Sequence, residues 1–301
     1  VLLSISSFIT PTRSRYPGHG RFQFHRSIVP AHNERMSFAT NPADGIRIAY
    51  EEARDAGAGD PIVLLHGSGL SRGSWRGLGY IRALSRTNRV VTLDLRGHGR
   101  SDKPHEPSQY AMPLIVGDVI AVLDELHIPA AHVVGYSLGA RTGFSLIDAH
   151  PERALSLVSL GGTFRSLAGS VADVFFPGFD DALRSGGMPE FIRLWGERRG
   201  RPVDAPTAAA FLANDPEALA AYFEQAGSEP GVDESRLAEL TTRTLLMAGT
   251  DDAARCADSR LAASIMPHAR FVALDGRGHG DTLAPTAPVL AEIGRTLRPE
   301  A

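Results

Sequence analysis

Between residues 45 and 298 the apolar positions keep changing their period. "GIRIAYEEA" (45–53) alternates apolar and polar residues, as a strand with one exposed face does. "PIVLLHG" (61–67) and "RVVTLDLRG" (89–97) are continuous apolar runs ending in glycine, which suits strands buried on both faces. "AHVVGYS" (131–137), "ALSLVSLGG" (154–162), "TRTLLMAGT" (242–250) and "ARFVALDG" (269–276) have the same character. Between these runs the spacing turns helical. "PLIVGDVIAVLDELHI" (113–128) begins on a proline suited to a first helical turn, "LGARTGFSLIDAHP" (138–151) stops before Pro151, and "APVLAEIGRTLR" (287–298) is amphipathic.

Strands alternating with helices predict an α/β fold, a mostly parallel sheet with helices on both faces. Residues 164–240 break the alternation. No strand run occurs there, and "VADVFFPGFDDALRSG", "MPEFIRLWGERRG", "PTAAAFLAN" and "PEALAAYFEQAG" read as short helices punctuated by glycine and proline. A helical insertion between two strands is a candidate cap over the carboxyl ends of the sheet, where open α/β sheets bind ligands.

The first 35 residues differ from the rest. "VLLSISSFIT" is apolar, but lacks the basic start and small-residue cleavage site of a secretory signal. The stretch after it is rich in Arg, His and Pro and has no acid before Glu34, as in a transit peptide. Ordinary protein-like sequence begins at Met36, so the expectation is a disordered extension or an over-extended gene start, with Met36 as initiator. Composition narrows the function. The net charge of −3 gives no reason to expect nucleic acid or an anionic membrane as partner. Lys103 is the only lysine, a bias that reads as the codon composition of a GC-rich bacterium. A single cysteine, Cys256, forms no internal disulfide and reads as buried filler. No apolar run reaches the ~18–20 residues that span a bilayer. The expected location is cytoplasmic.

Candidate chemistry centres on "GYSLG". It places Ser137 between Gly135 and Gly139, after a strand and before a helix, the strand–turn–helix setting of a nucleophile elbow. A serine needs a base to remove its proton. His279, in the glycine-rich "DGRGHGDT" after the last predicted strand, can supply one. His66 and His98 follow early strands and read as structural. An acid must hold the base in the right tautomer, and "LLMAGTDDAAR" offers Asp251 or Asp252, either of which could be no more than a helix N-cap. The backbone N–H of Leu138 is one oxyanion-hole candidate, and "HGSGLS" brings Ser68 near as a second. No Lys-Ser or Lys-Thr follows that turn, which excludes a phosphate-binding P-loop.

Taken in order, "LLHGSG", "LDLRGHGRSD", "VVGYSLGA", "AGTDD" and "GRGHG" resemble the α/β-hydrolase superfamily over about residues 37–298. The resemblance implies an eight-stranded sheet, with residues 36–163 and 241–301 as core and 164–240 as a helical cap after the sixth strand. It implies Ser137 as nucleophile, His279 as base, and Ser68 and Leu138 as oxyanion donors. The family's Gly-x-x-Asp spacing fits Gly249 to Asp252 and favours Asp252 as the acid. Capped relatives that open epoxides or displace halide look similar but use an aspartate nucleophile, so Ser137 argues against both activities. The cap is short for that branch, and Gly280 stands where many relatives carry a bulkier residue. The implied activity is hydrolysis of small or medium apolar carboxylic esters, with no metal or organic cofactor. Cleavage of carbon–carbon bonds, thioesters or lactones by the same triad is the alternative, and a non-catalytic ligand-binding protein is another. Phe175, Phe176, Phe179, Trp195, Phe211 and Tyr222 are candidates to line the acyl pocket, or simply to pack the cap on the core.

Overall fold

Eight strands build one sheet: β1 (Ser37–Thr40), β2 (Arg47–Glu52), β3 (Gly59–Leu65), β4 (Asn88–Leu93), β5 (Ala131–Tyr136), β6 (Ala154–Leu160), β7 (Thr244–Gly249) and β8 (Ala269–Leu274). Their order is β1-β2-β4-β3-β5-β6-β7-β8. The computed structural model describes residues 36–53 and 57–298, so the expectation about residues 1–35 lies outside the described residues. The pairings of β1 with β2 and of β2 with β4 are antiparallel, and all the others are parallel.

The continuous apolar runs are buried on both faces, as their sequence requires. In β3, Val63 and Leu65 join the core on one side of the sheet, and Ile62 and Leu64 the core on the other. A strand's period of two sends alternate side chains to opposite faces, and each such burial contributes roughly 1.5–3 kcal/mol. The second face is covered by Trp75 of α1 (Gly73–Gly77), Tyr80 of α2 (Tyr80–Leu84), and Val289, Ile293 and Leu297 of the C-terminal helix. The first face is covered by α3 (Met112–Glu125) and α4 (Leu138–Ala149).

Five helices lie between β6 and β7: α5 (Val171–Val174), α6 (Phe179–Arg198), α7 (Ala205–Leu212), α8 (Pro216–Ser228) and α9 (Glu234–Leu237). The break expected between the first two sequence segments is a kink inside α6, where Gly187 leaves helical geometry two residues before Pro189. Aromatic rings hold the insertion together. Phe175 meets Phe191, Trp195, Phe211 and Phe223 at 5.1–5.9 Å between centroids. Asn214 ties it to the core by donating from Nδ2 to the Gly69 carbonyl at 2.8 Å. The chain closes with α10 (Ala253–Ile265), after β7, and α11 (Thr286–Leu297). Among the described residues, no helix is long and apolar enough to cross a membrane.

His66 and the turn that carries His98 make structural contacts. The fully buried Arg96 donates to Asp118 from Nε at 2.7 Å and Nη2 at 2.6 Å, and to Asp44 at 2.7 Å, bracing the "LRGHGRSD" turn against α3. His66 accepts the Leu95 N–H on Nε2 at 3.0 Å, so its Nδ1 carries the proton and donates to the Gly67 carbonyl at 2.8 Å.

Candidate active site

Where β5 turns into α4, Ser137 has φ 52° and ψ −111°, a conformation that costs a non-glycine residue of order 1–3 kcal/mol. Its surroundings enforce the turn. A Cβ on Gly135 would lie 2.2 Å from the Gly139 carbonyl oxygen, and one on Gly139 would lie 2.1 Å from that of Leu65. Both glycines are therefore needed for close backbone approach. The Ser137 N–H donates to Leu160 O at 3.0 Å and the Gly139 N–H to His66 O at 3.1 Å, fixing the turn between two strands.

His279 follows β8 at the start of a short 3-10 turn, Gly278 preceding it. Its Nε2 lies 3.0 Å from Ser137 Oγ, and its Nδ1 lies 2.6 Å from Asp252 Oδ2. An ionised carboxylate can only accept, so Nδ1 holds the proton and Nε2 presents a lone pair to the serine hydroxyl. Tyr136 supports the imidazole, donating from its hydroxyl to the His279 carbonyl at 3.1 Å, with the two rings 5.5 Å apart.

The structure brings Asp252, and not Asp251, to the histidine. Asp252 occupies the N-cap position of α10 but its side chain makes no capping hydrogen bond. Asp251 is exposed, and its backbone N–H donates to Arg277 O at 3.0 Å. Leu138 opens α4, where a first-turn N–H has no intrahelical partner. The N–H groups of Leu138 and Ser68 donate to no backbone carbonyl among the described residues. The Ser68 hydroxyl donates to Tyr222 Oη at 3.3 Å, joining the loop after β3 to α8.

These residues open into a cavity of about 960 Å³ between the strand ends and the insertion. Phe175, Trp195, Phe211 and Tyr222 line it, as the sequence allowed. Phe176 and Phe179 do not line it. They pack on Phe191 and Phe223 respectively. Phe223, which sequence reasoning did not single out, joins the wall. So do Arg141 and Arg255. Each had a signal in the chain: Arg141 comes one helical turn after Ser137, and Arg255 three residues after Asp252. A Cβ on Gly280 would meet nothing within 4 Å, so the cavity is open where a bulkier residue would stand.

A hydroxyl hydrogen-bonded to an imidazole, an imidazole oriented by a carboxylate, and two backbone donors nearby can carry out acyl transfer. Comparison with known proteins points the same way. The family model described as the alpha/beta hydrolase fold matches residues 60–236. The chain is 33% identical over 197 residues to a 2-hydroxymuconate semialdehyde hydrolase of Pseudomonas sp., covering 64% of this chain and 62% of that protein. The crystal structure of the enol-lactonase from Burkholderia xenovorans matches with a TM-score of 0.72 at 25% identity, covering 84% of this chain and 97% of that one. An N-acyl homoserine lactone degrading enzyme matches with a TM-score of 0.66 at 26% identity, covering 86% and 99% respectively. With the family model spanning more than half of the sequence and the sheet order described above, this chain belongs to the α/β-hydrolase fold family.

Proposed function

We propose that the protein is a serine hydrolase that cleaves carboxylic esters, cyclic ones included, through an acyl-enzyme. The observation that carries this reading is the continuous hydrogen-bonded series Ser137–His279–Asp252, at 3.0 and 2.6 Å, facing the cavity. Ser137 Oγ attacks the acyl carbonyl while His279 Nε2 takes its proton. The oxygen of the tetrahedral intermediate gains its charge beside the N–H groups of Ser68 and Leu138. The imidazolium, stabilised by Asp252, returns the proton to the leaving alcohol, and the acyl group stays on Ser137. Water, deprotonated by the same imidazole, then releases the acid. No step calls for a metal or organic cofactor. In this reading residues 164–240 serve as a cap over a core of residues 36–163 and 241–301, and the substrate is a small molecule with an apolar body that suits the aromatic wall.

The resemblance to 2-hydroxymuconate semialdehyde hydrolase favours a second reading, carbon–carbon cleavage with the same three residues. A series of p-nitrophenyl esters of rising acyl length, run beside Ser137→Ala, separates the readings. The expected outcome is ester turnover that falls by about 10⁴-fold or more in the variant, with a length optimum that sizes the cavity. Labelling of Ser137 by a fluorophosphonate without turnover of any ester would point to carbon–carbon cleavage. Absence of both would overturn the hydrolase mechanism.

A further inference from the structure

Arg141 and Arg255 are 3% and 7% exposed, yet neither forms an ion pair among the described residues. Arg141 donates only to neutral oxygens: Ser145 Oγ and Phe164 O at 3.4 Å, and Pro230 O. Among the described residues Arg255 makes a single side-chain hydrogen bond, from Nη2 to Ser170 Oγ at 3.4 Å. Burying a cation without a counter-charge is costly. Elsewhere this chain avoids that cost, because buried Arg96 meets Asp118 and Asp44, and largely buried Arg72 meets Asp94 and Glu51.

Both unpaired guanidiniums line the cavity that holds Ser137 and His279. The other charged side chains there sort by exposure. Asp173, Arg199, Asp204, Asp251 and Asp281 are exposed, where water screens them, and Asp252 is engaged by His279. The two arginines also share a neighbour. Burial raises the pKa of the Tyr222 hydroxyl, and the charges of Arg141 and Arg255 act on it in the opposite sense.

We propose that the substrate carries a carboxylate, distinct from the bond that is cleaved, which Arg255 binds in the cavity with Arg141 supporting it. Guanidinium and carboxylate match as planar, bidentate partners. Arg141 feels the carboxylate of Glu229, so Arg255 is the guanidinium left without a counter-charge among the described residues, and it is the one placed to bind the substrate. The substrate would then be an acidic ester or lactone whose apolar body spans from this anchor to Ser137. This inference rests on the hydrolase reading for the cleaved bond but not for the anchor, and its test separates the two.

Matched p-nitrophenyl esters supply the kinetic arm: hemiglutarate against pentanoate, and hemisuberate against octanoate. The pair 3-acetoxybenzoate and phenyl acetate places the charge on the alcohol side. In at least one pair the acidic ester should have a kcat/KM tenfold or more above its neutral partner. Arg255→Met should collapse that ratio towards one, and Arg255→Lys should restore part of it. Ratios at or below one in all three pairs, or a ratio that Arg255→Met leaves unchanged, would overturn the proposal. The binding arm uses Ser137→Ala, which does not depend on turnover. At matched ionic strength, monomethyl suberate should raise its thermal midpoint more than dimethyl suberate does, and adding Arg255→Met should remove the difference. Binding without turnover by the wild type would sink the ester reading and keep the anchor. Turnover without selective binding would do the reverse. Equal stabilisation by inorganic phosphate would overturn the carboxylate assignment. If Arg255→Met does not fold, the wild-type ratios and the Ser137→Ala shifts decide.

Discussion

A carboxylate at the start of a helix ordinarily accepts hydrogen bonds from the first turn. Asp252 holds that position and gives its oxygen to His279 instead, at 2.6 Å. Two adjacent aspartates of equal chemistry could not be told apart by residue type or by the strand before them. Only the family's Gly-x-x-Asp spacing favoured one. The difference arises in the turn, where the Asp252 N–H bonds back to Gly249 O at 3.1 Å and directs the two side chains apart. Asp252→Asn should therefore lower kcat by about 10³–10⁴-fold, since an amide can donate to Nδ1 and move the imidazole proton to Nε2, where no lone pair remains for the serine. Asp251→Asn should stay within about twofold of wild type, since the Asp251 side chain is exposed and makes no hydrogen bond or ion pair among the described residues. Steady-state rates on one chromogenic ester check both, and equal losses would contradict the geometry. Ser137 and His279 were legible because glycine-rich turns after strands have few uses. Arg141 and Arg255 were not, because a sequence does not reveal whether a buried arginine finds a carboxylate.

At the scale of elements, the buried central strands announced themselves by unbroken apolar runs, while three kinds of element did not. β1 spans four residues and buries only Ala39, too little for a period to register. α1 and α2 have five residues each. In α10 the buried face carries Arg255, Cys256 and Ser259 beside Ala262, so polar residues hide the helical stripe. The elbow shows how one element constrains another. Gly139 of α4 sits against the backbone of β3, and carbonyls cannot step aside as a side chain can. Gly139→Ala should cost at least the about 1–3 kcal/mol of ordinary overpacking and disturb the serine with it. Gly294, inside α11, has open space where a methyl group would stand, with nothing within 4 Å. Gly294→Ala should accordingly stabilise by about 0.4–1 kcal/mol through the unfolded chain's lost freedom. Urea denaturation of the two variants tests the contrast. Matching signs would mean that the packing of α4 on β3 is looser than these contacts require.

At the scale of the molecule, three histidines buried among the described residues link stability to pH. His66, His98 and His132 are 1%, 0% and 3% exposed. Burial lowers the pKa of each, that of His98 to about 3, with the neighbouring His66 adding to the effect. In the unfolded chain each titrates near 6.5. Below that pH the unfolded state takes up protons that the folded state refuses, so folding stability is complete above about pH 6.5 and declines as the solution is acidified. Each histidine contributes up to about 1.4 kcal/mol per pH unit within its window. Asp102 acts in the same direction at lower pH, its pKa lowered by the bond from Arg47. His105 has the opposite sign, its pKa raised by Asp215, but it is exposed and weakly coupled to folding. The urea midpoint should therefore fall steadily from pH 7 to pH 5. His98→Gln should reduce the slope, whatever it does to stability at pH 7, because one titrating group is gone. A midpoint that stays flat over that range would mean the buried imidazoles admit protons without unfolding. A falling midpoint instead requires rates to be measured well below the melting temperature at each pH, so that lost fold is not counted as lost catalysis.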